Sequence, residues 1–141
     1  MKPTNILFFL LLCVLLSGCK DNDIEDTDRT LDAESLKQTS WSGTMIDSYN
    51  RGDKIVKSDI GIIFYTNKNG KYDIITETDS GDINSYIDDF EYFVDGMMLF
   101  IKGNIYLKGY WLVIEKSKNK MVLEQSTGVG YKATLVLNRS H

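Results

Sequence analysis

FEYFVDGMMLFIK, residues 90–102, decides the fold of this chain. Two runs of aromatic and aliphatic residues meet at Asp95-Gly96. That dipeptide tolerates the positive φ of a type I′ turn, whose twist matches the strands it joins. A helix would repeat its apolar residues at intervals of three and four. Here they alternate or follow one another, as in strands. The pattern recurs upstream in FYTNKNGKYDII, residues 64–75, where Asn69-Gly70 is the turn. Downstream, Ser117–Lys120 joins YWLVIEK to MVLEQ, and Gly128-Val129-Gly130 is a looser connection before the final run.

Extended in both directions, this reading predicts eight strands: Trp41–Ser48, Asp59–Thr66, Lys71–Glu77, Tyr86–Phe93, Met97–Lys102, Tyr110–Lys116, Met121–Ser126 and Tyr131–Asn138. In the last of these, Tyr131, Ala133, Leu135 and Leu137 share one face, while Lys132, Thr134 and Asn138 share the other. Near 62–65 and 97–101 the apolar residues are continuous, so both faces are expected to be covered. The one helical prediction is a short turn near Asp32–Lys37. The sole proline, Pro3, precedes every strand. Eight short strands joined mostly by hairpins, without helical crossovers, define an all-β antiparallel meander. Closure into a barrel would remove its exposed edges; a β-sandwich is the alternative.

The N-terminus has a different character. Lys2 precedes Ile6–Leu16, apolar except for Cys13, and Ser17-Gly18 follows. This is the three-part pattern of a secretory signal. At 11 residues the run is too short for a transmembrane helix, which needs about 20. Leu16-Ser17-Gly18-Cys19 resembles the bacterial lipobox, whose cysteine is lipidated before the signal is cut ahead of it. The resemblance implies a signal peptide over 1–18 and a lipidated Cys19, the acyl (palmitate-type) chains holding the protein at a membrane. No other cysteine would remain for a disulfide, a redox pair or a thiolate metal site.

Residues 19–34 read as the lipidated cysteine and an acidic, disordered tether. Lys20–Glu34 carries seven acids against two bases, whereas Ser35–His141 is balanced at 13 each. The acidity of the chain therefore belongs to the tether, and 35–141 forms the domain. Within that domain, charge is polarised. Asp73, Glu77, Asp79, Asp82, Asp88, Asp89, Glu91 and Asp95 are uninterrupted by any base, while the flanking segments are basic.

Little catalytic chemistry can be built from these residues. The only histidine is His141, the last residue, so the Ser–His and Cys–His arrangements and the usual zinc sites have no material. DSGDIN, residues 79–84, lacks the spacing of a calcium loop. The acids of 73–95 read as a solvated edge, and no metal, cofactor or enzymatic activity is expected. A neutral domain without a basic aromatic stripe is not expected to bind nucleic acid.

Ser35–Arg139 resembles the small lipocalin-like, calycin-type domains of Gram-negative lipoproteins. The resemblance rests on Leu36 and Trp41, the Asn69-Gly70 hairpin, Trp111-Leu-Val-Ile followed by Met121-Val-Leu-Glu, and the closing TLVLNR with Arg139. Larger lipocalins have a glycine two residues before the tryptophan and an arginine packed over its indole. Thr39 stands at the glycine position here, and Gly43 follows Trp41 instead. The resemblance implies an outer-membrane, lipid-anchored barrel, on the periplasmic face or the cell surface. Such a barrel would bind a small apolar ligand or, with a filled core, act through an envelope protein. For a ligand, the row Tyr86, Phe90 and Tyr92, with Asp88, is the expected lining.

Overall fold

Strand β1 (Thr39–Tyr49) forms the seam of the fold. It pairs antiparallel with β2 (Lys54–Phe64) on one side and with β8 (Lys132–Ser140) on the other. Between them run β3 (Asn69–Glu77), β4 (Ile83–Asp95), β5 (Met98–Lys102), β6 (Gly109–Lys116) and β7 (Lys120–Ser126). Each pairs with the next, giving a closed antiparallel barrel in sequence order and not a sandwich. The computed structural model describes residues 28–103 and 106–140, so the predicted signal, Cys19 and most of the tether lie outside the described residues.

All eight predicted strands are present, and the predicted helical turn is α1 (Ala33–Leu36), capped by the Asp32 carboxylate accepting from the Glu34 N–H. The expected turn at Asn69-Gly70 is displaced: both residues belong to β3, and the β2–β3 reversal falls at residues 65–68, where the Tyr65 and Thr66 N–H groups donate to the Asn69 carbonyl. Two strands begin well before their expected starts. β2 begins at Lys54 and β4 at Ile83; the added segments pair with β1 and β3 but are largely exposed and carry no apolar alternation to mark them in the sequence. Residues 83–90 pair only with β3, whereas residues 91–95 pair with β5.

The inward side chains fill most of the barrel. Ile62, Phe64, Leu99, Ile101, Trp111, Met121, Leu123, Leu135 and Leu137 are fully buried. Phe64 stands edge-on to Phe90 at 5.9 Å and to Tyr92 at 5.0 Å between ring centroids, the arrangement that aromatic quadrupoles favour. An eight-stranded barrel is just wide enough for such residues to meet at its axis.

The segment before β1 closes this packed end. Leu31 and Leu36 join the core, the Leu31 N–H donates to the Gly96 carbonyl at 2.9 Å, and Lys116 Nζ donates to the Thr30 carbonyl. The folded unit thus includes Leu31–Glu34, which the sequence reading placed in the tether; two leucines among acids suffice when they cap an apolar opening. Thr39 ties this strap to the barrel. Its hydroxyl donates to the Leu36 carbonyl and accepts from Trp41 Nε1 at 2.8 Å. A glycine there could make neither bond. The Arg139 guanidinium lies 5.9 Å from the centre of the Trp41 ring, within cation–π range.

Gly43 lets the seam close. A Cβ at this position would lie 1.9 Å from the Val136 carbonyl oxygen, across the β1–β8 pairing. Gly43→Ala must push backbone apart and is expected to lower stability by about 1–3 kcal/mol or more. Thr39→Val, which leaves the buried indole N–H unpaired, is expected to cost about 1–3 kcal/mol. Thermal and urea unfolding of both variants would measure this, and an unchanged Gly43→Ala midpoint would mean that the seam does not need the glycine.

Candidate binding cup at the open end

At the opposite end the inward rows change from aliphatic to polar. On β1 the inward phase that gives Trp41 and Met45 continues to Asp47 and Tyr49; on β2 and β3 it reaches Ser58 and Thr76. Met45, Asp47, Tyr49, Ser58 and Thr76, with Val56, Ile74, Asn84, Tyr86 and Tyr106, line a cup of about 130 Å³. Met45 and Ile74 form its apolar floor, and the Ser58 and Thr76 hydroxyls are hydrogen-bonded to each other at 2.6 Å across the wall.

Asp47 is only 8 % exposed. Tyr131 Oη donates to its Oδ1 at 2.6 Å, and no second hydrogen bond reaches the carboxylate from the described residues. Burial holds the Asp47 carboxyl above its usual range, with the Tyr131 hydrogen bond opposing that shift. The Tyr131 hydroxyl is raised in turn by burial and by its bond to Asp47. Tyr49 leans on Tyr131 at 5.2 Å, and its own hydroxyl is raised by burial and by the nearby Asp47 charge.

Two further tyrosines stand across the cup. Tyr86 and Tyr106 are 4.5 Å apart, and the Tyr106 hydroxyl is pushed up to about 12, first by its hydrogen bond with Tyr86 and then by burial. Tyr106 is held in place by its neighbour Leu107, which is fully buried and accepts a hydrogen bond from Trp111 Nε1 at 2.8 Å. The rim turn between β1 and β2 has positive φ at Asn50 and Arg51, and the Arg51 N–H donates to the Gly130 carbonyl at 3.1 Å. Two rim turns are thereby joined.

The expected ligand row is divided by this arrangement. Tyr86, Asp88, Phe90 and Tyr92 share an inward phase, but only Tyr86 lines the cup. Phe90 and Tyr92 belong to the packed core. Tyr92 Oη donates to the Thr66 carbonyl at 2.8 Å, and burial together with the Glu34 charge pushes that hydroxyl up to about 12. Asp47, Tyr49, Ser58, Thr76, Asn84 and Tyr131 were not expected at a site from the sequence, whereas Tyr106 belongs to the aromatic cluster of the middle and late strands that the sequence marks as candidate cavity lining. For Asp47 a signal was present: an acid in the inward phase of a strand beginning with Trp41. All eight acids of 73–95 are exposed. A larger hollow of about 620 Å³ lies beside Tyr65, Asp89, Glu91 and Lys102. Phe90, one of the expected ligand residues, lines it together with Asn69 and Gly70.

Comparison with protein-family models, with curated proteins and with solved structures gives no match.

The position of Asp47 has a measurable consequence for stability. Below its ordinary pKa of 3.8 it is protonated in both the folded and the unfolded chain. As pH rises through the higher folded-state pKa, only the folded state bears the cost of ionising a buried group. Asp47→Asn, whose amide oxygen still accepts from Tyr131, is therefore expected to melt above the native protein at about pH 7 and level with it at about pH 3. Melting temperatures across that range would show the divergence; parallel curves would mean that the carboxylate bears no desolvation cost.

Proposed function

We propose that this chain is a lipid-anchored envelope lipoprotein whose lipocalin-like barrel is a non-catalytic binding module, taking a small ligand at its open end. Cys19 carries the lipid, and the outer membrane is the site of anchoring, on its periplasmic face or at the cell surface. The observation that carries the binding reading is the asymmetry of the interior. One end is filled and capped, and the other narrows to a walled cup with a buried carboxylate and four tyrosines around it.

A cup of about 130 Å³ is well below the roughly 300 Å³ or more of a pocket that encloses a drug-sized molecule. It suits a small molecule, or one end of a larger one. Its walls favour an amphipathic ligand over a wholly apolar one, since the interior beneath is occupied by side chains.

Two measurements test the proposal. Palmitate labelling of the full chain in Gram-negative cells is expected to mark the protein, and Cys19→Ala is expected to abolish the label and release the protein from membranes. Native mass spectrometry of protein extracted from those membranes is expected to show a bound mass. Asn84→Trp, an exposed wall position, should displace that mass, while Phe90→Leu in the core should retain it. A ligand-free mass in every preparation would argue against the binding module.

A second reading, action through an envelope protein, is favoured by one observation. Phe93, Phe100 and Tyr110 form a ladder across the outer faces of β4, β5 and β6, with ring centroids 4.9 and 4.4 Å apart. Phe93 is 43 % and Tyr110 58 % exposed. Aromatic area left open on a sheet face is a common interaction anchor. Under this reading, Tyr110→Ser removes a cross-linked envelope partner without changing occupancy of the cup.

A further inference from the structure

We propose that the cup takes the alkylated ammonium headgroup of a small organic cation, with Asp47 as its counter-ion and tyrosine rings as its walls. This rests on the binding reading above and names its ligand class. Three observations carry it. Asp47 is the one formally charged side chain lining the cup among the described residues, so the site has negative charge with no cation inside it to neutralise it. Lys54, opposite Tyr49 in the β1–β2 pairing, is exposed at the rim and is not part of the lining. Tyr131 satisfies Oδ1 of the carboxylate and leaves the second oxygen without a hydrogen bond from the described residues. That oxygen is not a fully buried, unsatisfied atom, so a ligand can reach it.

The walls decide which cation fits. Tyr49 and Tyr86 present rings that are each 39 % exposed, and Tyr106 and Tyr131 back them. Aromatic faces attract cations through the ring quadrupole and favour quaternary or alkylated ammonium, which sheds water more easily than a compact ion. A hard metal ion would want six or more oxygen ligands, and no group of three or more potential metal-binding side chains occurs among the described residues. The volume agrees: about 130 Å³ equals the share of about four water molecules, room for a headgroup with its tail outside. Burial raises the Asp47 carboxyl, and an enclosed cation would offset that penalty.

The test uses the full-length protein in detergent and two probes of nearly equal shape: choline, and its neutral carbon isostere 3,3-dimethylbutan-1-ol. Calorimetry is expected to show saturable choline binding at least tenfold tighter than binding of the isostere. Asp47→Asn should weaken choline tenfold or more while leaving the isostere unchanged, and Asp47→Glu should restore part of the loss. Tyr49→Leu, which keeps apolar area but removes the ring, should weaken choline by several-fold. Near-ultraviolet circular dichroism checks that each variant remains folded. Equal affinity for both probes would overturn the cation reading and leave a neutral binding cup. No choline binding, with a co-purified ligand still displaced by Asn84→Trp, would likewise overturn it alone. No binding of either probe and no co-purified ligand would remove both readings.

Discussion

The structure depends on the closure of β1 against β8. A meander of eight strands has two edges, and each would leave a row of unpaired backbone groups. Here the first and last strands are edges that pair with each other along Ser40–Ser48 and Lys132–Ser140. The closure is possible because Gly43 withholds a side chain where the Val136 carbonyl approaches. Once the sheet is closed, the interior has a fixed width, and side-chain size along each inward row determines where space remains. Tryptophan, phenylalanine and leucine fill one end; serine, threonine and aspartate at the other leave the cup. The cavity is thus a consequence of closure and residue size, not of a separate element built around a ligand.

The barrel was readable in the sequence because two independent signals agreed. Gly96, with its positive φ, marked where β4 reverses, and alternation in segments such as Tyr131–Asn138 fixed which side faces inward; Asn69-Gly70 marked its turn only approximately, because both residues pair within β3 and the reversal falls just before them, at residues 65–68. The failures have two physical origins. Lys54–Ser58 and Ile83–Ser85 pair as strands while largely exposed, so their backbone bonds leave no trace in apolar content. The burial of Leu31 in the strap was missed for the opposite reason. Leu31 sits among acids, and only the three-dimensional opening it caps gives it a reason to be buried.

The site was less readable than the fold. Aromatic clustering in β4 drew attention to Tyr86, Phe90 and Tyr92, but depth along a barrel strand is set by the stagger of neighbouring strands. That quantity depends on the register of every pair and is not visible in one strand. Asp47 lay in an inward phase from the start, yet an inward acid could equally have stood at an open rim. Its burial follows from Tyr49 and Tyr131 closing over it, and Tyr131 is 84 residues away.

The strap also sets which end of the barrel the chain enters. The chain enters the barrel at its packed end, where Leu31 bonds to Gly96 and Lys116 reaches Thr30. The cup opens at the other end of the same strands. Under the proposed anchoring at Cys19, eight residues separate the lipidated cysteine from Asp28, the first described residue. At about 3.5 Å per extended residue they span roughly 30 Å at most. Under that anchoring, the attachment would lie on the side of the filled end, and the cup would open at the end farther from it. A ligand would then reach the cup from the side away from the attachment, since the filled end, with Leu31 and Leu36 packed into it, leaves no opening there.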